Sequence, residues 1–368
     1  SLMKKDGFVR TISGLTRQLA GPLVAVLLAL AVSGVLIWSI GKDPVRAFAT
    51  MWEGSLGSID SLATTGVRAT PLLLCGLSVA LSFRIGVFNI GAEGQLYLGA
   101  VAATIVGLLP FSVPAWLHIT LALVVGFLAG AILGAIPGYL RAYRNVNEVV
   151  VNLMLNYIVT YFVGYLVNVD YGPLGERGAA YAQSPLLASS SHLPILLKGT
   201  SLHLGLILGL LLAVALHILI NNTPFGFQVR MIGSNPNAAR YAGVPVKRHI
   251  VKTMLLSGGL AGLAGASEIM GLTHRLFDNF SPGYGFDGIA VALLARNNPL
   301  GVILSSAFYG ALRAGAGRMQ QILGIQLSFV NIIMALTILF VVGSSAFTPK
   351  IQLHGLKATK QRKEVIKC

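Results

Sequence analysis

Residues 126–138 read GFLAGAILGAIPG, with a glycine at every fourth position. Because four residues make slightly more than one helical turn, these glycines line up along one face of a helix. A face without side chains forms a groove that another membrane helix can approach closely. The segment lies inside the apolar run 115–140, and it predicts a membrane helix packed tightly against a neighbour.

A second small-residue face lies in the apolar run 250–272 and is formed by Ser257, Gly258, Gly262, Gly265 and Ala266. The composition agrees with a membrane protein, because 55% of the residues are hydrophobic, 11% are charged and the mean hydropathy is +0.76. A soluble core of 368 residues does not need that much apolar surface.

Ten segments approach the length of about 20 apolar residues that a helix needs to cross a bilayer. The sequence therefore predicts an all-α, polytopic membrane protein of about ten transmembrane helices. The predicted spans are 21–40, 67–83, 91–109, 115–140, 148–168, 202–220, 250–272, 285–297, 299–317 and 325–345.

Positive charge orients these spans. With a cytoplasmic N-terminus, 19 of the 27 Lys and Arg residues fall on the cytoplasmic side, as membrane proteins prefer. The other eight are Lys42, Arg46, Arg68, Arg177, Lys198, Arg275, Arg313 and Arg318. We expect a cytoplasmic segment 1–20, a transmembrane domain 21–345 with an external loop 170–200, and a basic cytoplasmic tail 346–368. The net charge of +15 then indicates contact with membrane lipids, not with nucleic acid.

The stretch 233–245, GSNPNAARYAGVP, is a polar island between apolar segments. The topology places it in a cytoplasmic loop, 226–248. Pro236 suits the start of a short helix, and Gly243 followed by a proline suits its end. A water-exposed helix in an otherwise apolar protein predicts a docking surface.

Polar residues inside the membrane are costly and are therefore candidates for a translocation pathway. Ordinary hydrogen bonding between helices is an alternative for the asparagines, and Glu93 and Asp287 could instead cap a helix or form a salt bridge. The pathway candidates are Asn89, Glu93, Gln95, Asn152, Asn156, Glu268, Phe280, Tyr284, Asp287 and Asn331.

Two of these acids lie in similar motifs, because residues 91–94 read GAEG and residues 285–288 read GFDG. Each motif begins a short apolar helix. The predicted topology places the first motif on the cytoplasmic side and the second on the outer side. This arrangement suggests an inverted internal repeat with glycine-broken helices near a central pathway.

Sequence motifs for catalysis are absent from the 368 residues. There is no G-x-x-x-x-G-K-[ST] phosphate loop, no H-E-x-x-H, no G-x-S-x-G and no Cys/His cluster. We therefore predict a protein that is not an enzyme, with no catalytic residues, no metal ligands and no cofactor. A transporter of this kind would take its energy from another source.

Four separated motifs occur in order: FRIGVFNIGAEGQLYLGA (83–100), VRMIGSNPNAARYAGVP (229–245), LSGGLAGLAGASEIMG (256–271) and SPGYGFDGIAVALLARNNPLG (281–301). Together they resemble the permease subunits of bacterial ABC importers in the ribose and nucleoside branch, most closely the general nucleoside uptake permeases. The resemblance covers most of 65–345.

That resemblance implies a pore-forming subunit in the bacterial cytoplasmic membrane, with a separate ABC ATPase, an external substrate-binding protein or lipoprotein, and a second related permease in a heterodimer. It also implies that the polar island is the coupling helix that enters a cleft of the ATPase. The residues matching that motif, here called the coupling segment, are Asn235, Ala238, Ala239, Arg240, Tyr241, Ala242 and Gly243.

The modest polarity of the pathway candidates suits a neutral, hydroxyl-rich solute such as a nucleoside, and Phe88, Phe280, Tyr284 and Phe286 could stack on its base. A simple sugar such as ribose is the alternative within the same class. An ion-coupled secondary transporter is the alternative from another class, with Glu93, Glu268 and Asp287 as ion ligands.

Overall fold

A computed structural model describes residues 27–28, 31–110, 113–326, 329, 331–332, 335–336, 339–340 and 343. It divides into two compact units, one over Val45–Leu327 and one formed by Ser1–Pro44 with Ser328–Cys368. In the second unit, residues 31–39 are helical, as are the described residues between 329 and 343. The predicted segment 1–20 and the basic tail 346–368 lie outside the described residues.

The unit Val45–Leu327 is built from helices. In chain order they are α1 (Pro44–Leu56), α2 (Ile59–Arg84), α3 (Ala92–Leu108), α4 (Ala115–Arg144), α5 (Glu148–Leu166), α6 (Gly205–Asn222), α7 (Pro224–Ser234), α8 (Pro236–Tyr241), α9 (Val246–Glu268), α10 (Tyr284–Leu294) and α11 (Pro299–Leu323). A π-helical turn, Ile269–Thr273, continues α9.

The predicted all-α membrane fold is confirmed. Helices α2, α4, α5, α6 and α9 with its π-turn are long and apolar enough to cross a membrane, and α3 and α10 are shorter apolar helices. The predicted number of ten spans is not confirmed. Helices α3 and α10 are short, α11 is not among the helices that are apolar enough to cross, and 21–40 and 325–345 are only partly described. Helix α1 was not predicted. Helix α2 begins at Ile59, earlier than predicted, because the Ser58 hydroxyl accepts a hydrogen bond from the Ser61 amide at 3.0 Å and caps it.

The two predicted small-residue faces pack against each other, because α4 and α9 run antiparallel with their glycines interleaved. A methyl group added at Gly130 would lie 2.4 Å from the Gly258 carbonyl oxygen, and one added at Gly258 would lie 2.3 Å from the Gly130 carbonyl oxygen. A methyl group at Gly262 would meet the Gly126 carbonyl oxygen at 2.4 Å. Larger side chains would separate the backbones, which is why glycine is required here.

Helices α3 and α10 start beside each other inside the bundle and run in opposite directions. The Glu93 carboxylate, in the first turn of α3, accepts a 2.6 Å hydrogen bond from the Gly285 amide in the first turn of α10. The end of α3 lies near the start of α4, where the His118 ring bonds the Val106 carbonyl oxygen at 2.9 Å. The chain just after α10 lies near the opposite end of the bundle, because the Asn297 carbonyl oxygen accepts from Arg84 at 2.9 Å.

Candidate functional site

Helix α8 has the short, capped form that its sequence predicts. The Asn235 side chain accepts hydrogen bonds from the amides of Asn237 at 3.0 Å and Ala238 at 3.1 Å, and Pro236 occupies the first helical position. The chain leaves α8 through Gly243, whose φ of +80° favours glycine. Two turns of helix with both ends fixed form a rigid element.

The coupling segment divides into one buried residue and six exposed ones. Ala239 is fully buried in an apolar cluster with Ile85, Val87, Val229, Ile232, Val244, Val246 and Met254. Tyr241 is 95% exposed. The other exposed members are Asn235, Ala238, Arg240, Ala242 and Gly243. Helix α8 therefore rests on the core through one small side chain and presents its remaining residues to solvent.

Helix α7 directly precedes α8 in the chain and contacts the end of α2. The sequence did not predict this helix. A methyl group added at Gly233 would lie 2.0 Å from the Arg84 carbonyl oxygen, so the end of α7 sits directly on the end of α2. Ile85 and Val87, which follow α2, belong to the same apolar cluster as Ala239. A displacement of α8 would thus act on the segment that leads into α3.

The predicted pathway residues Asn89 and Gln95 form a closed hydrogen-bond network. The Asn89 amide donates to Gln95 at 2.9 Å and to the Ser257 hydroxyl at 2.8 Å, and the Gln95 amide donates back to Asn89 at 3.0 Å. Ser257 also bonds Ser78 of α2. Asn89 is fully buried, so the network fixes the start of α3 between α2 and α9.

The asparagines of α5 hold the same segment from the other side. Asn152 donates to the Phe88 carbonyl oxygen at 3.1 Å, and Asn156 donates to the Ile90 carbonyl oxygen at 2.9 Å. Asn156 also accepts from the Gly94 amide at 2.9 Å. These bonds satisfy backbone groups that an interrupted helix leaves unpaired inside the bundle.

We call the set Asn89, Glu93, Gln95, Asn152, Asn156 and Gly285 the polar junction. The prediction that placed residues 91–94 and 285–288 on opposite sides of the membrane is wrong, because a methyl group added at Gly285 would lie 2.2 Å from the Glu93 backbone nitrogen. Both motifs begin helices that start inside the bundle, so they meet there. The opposed directions of α3 and α10 agree with an inverted repeat, which stays a prediction.

A second charged group lies beside the junction. Arg313 of α11 forms an ion pair with Asp287, with Nε 2.9 Å from the carboxylate, and its guanidinium lies 5.3 Å from the centre of the Tyr284 ring. The Tyr284 hydroxyl accepts from Arg68 at 3.2 Å. Two guanidinium groups therefore contact Tyr284. Asp287 forms a salt bridge, which was the alternative to its predicted role in the pathway.

The remaining pathway candidates are Glu268, Phe280 and Asn331. Glu268 is 3% exposed, and its Oε2 atom has no hydrogen-bond partner among the described residues. Phe280 packs on Tyr97 with ring centres 4.7 Å apart. Asn331 is a helical, exposed residue of the unit that contains the chain termini.

A polar cavity of about 430 Å³ lies among α1, α2 and α11. We call it the outer cavity, and its lining residues are Gly54, Ser58, Asp60, Ser61, Thr64, Arg68, Arg313, Ala314, Gly317, Arg318 and Gln321. Sequence reasoning did not name its three arginines as site residues. Their signal was present, because all three are among the eight basic residues that the predicted topology leaves off the cytoplasmic side.

Comparison with known proteins assigns the family. Residues 61–342 match the family model described as "Branched-chain amino acid transport system / permease component". The chain belongs to this permease family. The permease is therefore a helical membrane protein of a transport system, and the family resemblance carried by its four motifs is confirmed.

Three curated relatives span almost the whole permease. The guanosine ABC transporter permease protein NupP of Bacillus subtilis (strain 168) is 39% identical over 327 residues, 88% of this chain and 93% of the relative. The glucose ABC transporter permease protein TsgB13 of Haloferax volcanii is 38% identical over 338 residues, which are 89% of this chain and 87% of the relative. The nucleoside ABC transporter permease protein NupB of Lactococcus lactis subsp. cremoris is 30% identical over 351 residues, 94% and 96%.

Proposed function

We propose that this permease is the transmembrane subunit of an ABC importer that carries nucleosides across the bacterial cytoplasmic membrane. Both termini lie in the cytoplasm. A separate ABC ATPase supplies the energy, an external binding protein or lipoprotein delivers the solute, and a second related permease completes the pore. The relatives named for guanosine and for nucleosides support this solute class.

The observation that carries the proposal is the construction of α8. Its exposed face carries Arg240 and Tyr241, a charged and an aromatic residue of the kind enriched at protein interfaces. Its buried face rests on the ends of α2 and α7 through the cluster around Ala239. Closure of a bound ATPase on this face would push a rigid helix against the segment that leads to the polar junction.

The test is the substitution Arg240→Glu in the complete transporter. We expect normal insertion in the membrane, less copurified ATPase and roughly tenfold slower ATP-dependent uptake of labelled guanosine, because a reversed charge at an interface costs about 1.4 kcal/mol or more. Arg144→Glu is the control, since Arg144 is exposed at the same end of the bundle and lies outside the coupling segment. Normal uptake by Arg240→Glu at matched expression would refute the coupling role.

A simple sugar is the second candidate solute, and the relative named for glucose favours it. Competition separates the two, because excess unlabelled uridine or guanosine should abolish uptake of labelled guanosine, whereas excess ribose or glucose should not. If ribose and glucose compete and the nucleosides do not, the solute assignment is wrong.

An ion-coupled mechanism is tested by the purified permease alone in liposomes. We expect no uptake when an ion gradient is imposed without ATP and without the ATPase subunit. Uptake under those conditions would replace the ABC mechanism with secondary transport, in which the buried Glu268 would be the first residue to examine.

A further inference from the structure

The outer cavity lies at the end of the bundle opposite α8. Its residues Ser58, Asp60 and Ser61 are at the start of α2, whose other end, Arg84, meets Gly233 next to α8. With α8 cytoplasmic, as proposed, this cavity faces the outside. Its volume of about 430 Å³ is that of small-molecule binding sites, which span about 300–1,000 Å³.

The guanidinium groups of the lining favour a ligand that is rich in hydrogen-bond acceptors. Three arginines and one aspartate line the cavity, and Asp287, which pairs with Arg313, lowers the net local charge to +1. Each guanidinium offers five N–H donors and no acceptor. Arg68 uses one nitrogen on the Tyr284 hydroxyl, and Arg313 uses two on Asp287, so both groups are held in place with donors to spare.

Arg318 is the lining arginine whose head group is free to meet a ligand. Its stem packs against α1, because a methyl group added at Gly54 would lie 2.3 Å from the Arg318 β-carbon. Within the described part of the chain, no hydrogen bond or ion pair engages its guanidinium, and the residue is exposed. The packed stem keeps the guanidinium at the cavity, and its donors are available to a ligand.

The hydroxyl groups of the cavity are already committed to the protein. Ser61 donates to the Glu53 carbonyl oxygen at 2.7 Å, and Thr64 donates to the Asp60 carbonyl oxygen at 2.8 Å. Donation to a ligand therefore rests mainly on the guanidinium groups. The Asp60 carboxylate is the charged acceptor of the lining.

We propose that the outer cavity is the solute-binding site of the outward-open permease and that it takes a neutral nucleoside. Arg318 would donate to the carbonyl and ring-nitrogen acceptors of the base or stack on its face, and Asp60 would accept from a ribose hydroxyl. Tyr284 contacts both other arginines of the lining, because its hydroxyl accepts from Arg68 and its ring lies 5.3 Å from the Arg313 guanidinium. This inference rests on the proposed nucleoside importer and names the place where its solute binds.

Gly317 supplies a reporter for occupancy of the cavity. It lines the cavity, and an added β-carbon would meet no atom within 4 Å, so Gly317→Cys fits without strain. Native Cys75 is fully buried and will not compete, and Cys368 is replaced by serine. In cells that contain the whole transporter, the measurement is the rate at which a charged, membrane-impermeant thiol reagent labels the cysteine at position 317.

We expect guanosine and uridine at saturating concentration to slow this labelling about tenfold, and glucose or ribose to leave it unchanged. Tyr181→Cys is the control, because Tyr181 is 76% exposed in the loop 170–200 and does not line the cavity. Its labelling should not respond to solute. Equal protection by glucose and guanosine, or protection by guanosine monophosphate but not by guanosine, would overturn the neutral nucleoside as the ligand.

Arg318→Gln tests the donor directly. In the Gly317→Cys background it should raise the guanosine concentration that gives half-protection about tenfold, the effect of losing one charge-assisted hydrogen bond. Lys198→Gln removes an exposed positive charge from the predicted external loop and should leave that concentration unchanged.

Uptake measured in the same cells separates the two proposals. Nucleoside uptake with no protection at position 317 by any solute would overturn the cavity site and leave the importer intact. Protection by nucleosides without ATP-dependent uptake would overturn the importer and leave the cavity as a nucleoside site.

Discussion

The polar junction and the coupling segment both consist of small and polar residues, yet they use them in opposite ways. In the junction, Asn89, Gln95 and Asn156 are buried, and their side chains bond to groups of the same chain. In the coupling segment, Tyr241 is 95% exposed and Arg240 faces solvent. Polar groups with partners inside the chain position its helices, whereas exposed groups on a rigid support are available to another molecule.

Gly285→Val should give the largest effect, because it breaks the junction at a contact between backbones. The added β-carbon would lie 2.2 Å from the Glu93 nitrogen, which cannot move without displacing α3. We expect destabilisation on the order of 3 kcal/mol and almost no folded protein in size-exclusion chromatography after detergent extraction. Gly317→Val is the folding control, since nothing lies within 4 Å of its β-carbon. Wild-type yield of Gly285→Val would show that α3 and α10 do not meet as described.

Acid should act on a third kind of polar group, a buried histidine with one unpartnered ring nitrogen. The Nδ1 atom of His203 accepts a hydrogen bond from the Gly205 amide at 3.2 Å. Burial, and then the nearby His274, lower the pKa of His203 to about 4, below its ordinary value of 6.5. Its Nε2 atom has no hydrogen-bond partner among the described residues. Below pH 6.5, His203 binds a proton in the unfolded chain but stays neutral in the folded chain. The free energy of unfolding therefore decreases as the pH is lowered from about 6.5 to 4.

The decrease in the free energy of unfolding that is due to His203 should reach about 3 kcal/mol near pH 4 and be absent above pH 7. Unfolding temperatures in detergent between pH 7.5 and 4.5 measure it. His203→Gln should have a lower unfolding temperature at pH 7.5, but that temperature should decline less steeply with acidification, because the variant lacks the histidine. Carboxyl groups elsewhere contribute the same slope to both proteins. Parallel curves for the two proteins would mean that His203 does not titrate as its burial requires.

Asn156→Leu sharpens the comparison within the junction. Leucine is similar in size but leaves the Ile90 carbonyl oxygen and the Gly94 amide without partners, at a cost of about 2 kcal/mol. The unfolding temperature of the detergent-purified protein should fall, and uptake should fall with it. Tyr157→Leu, on the exposed side of the same helix, should leave the unfolding temperature unchanged. Equal stability of the two variants would remove the structural role assigned to Asn156.

Asn235→Ala should give the smallest effect on stability and a clear effect on transport. Loss of the cap weakens α8 by about 1 kcal/mol, but α8 can fray without opening the bundle. We expect an unchanged unfolding temperature, with less bound ATPase and slower uptake. Asn235→Asp keeps an acceptor oxygen at the cap and should retain uptake. If Asn235→Ala lowers the unfolding temperature as much as Asn156→Leu, the contrast between the two regions fails.

Local patterns predicted much of the fold. The glycine spacing of α4 and α9, the fully described apolar runs and the short helix after Pro236 all appear in the structure, although α2 begins at Ile59 and not at the predicted 67. Helices α1 and α7 were missed, because neither has the length and apolarity of a membrane span. The predicted depth of Glu93 and Gly285 in the membrane was also wrong. Hydropathy assigns a segment to the membrane but does not give the depth at which a short helix starts.

The amino-acid sequence by itself determined the class of the protein, its membrane helices and the capped coupling helix, because periodicity and caps depend on neighbours a few residues away. Only the tertiary structure decided which polar side chains pair within the chain and which remain available to bind another molecule. It paired Arg313 with Asp287, joined Arg68 to Tyr284 across 216 positions and left Arg318 in the outer cavity. Such pairings depend on which backbones approach each other, and the glycine contacts between helices set that approach.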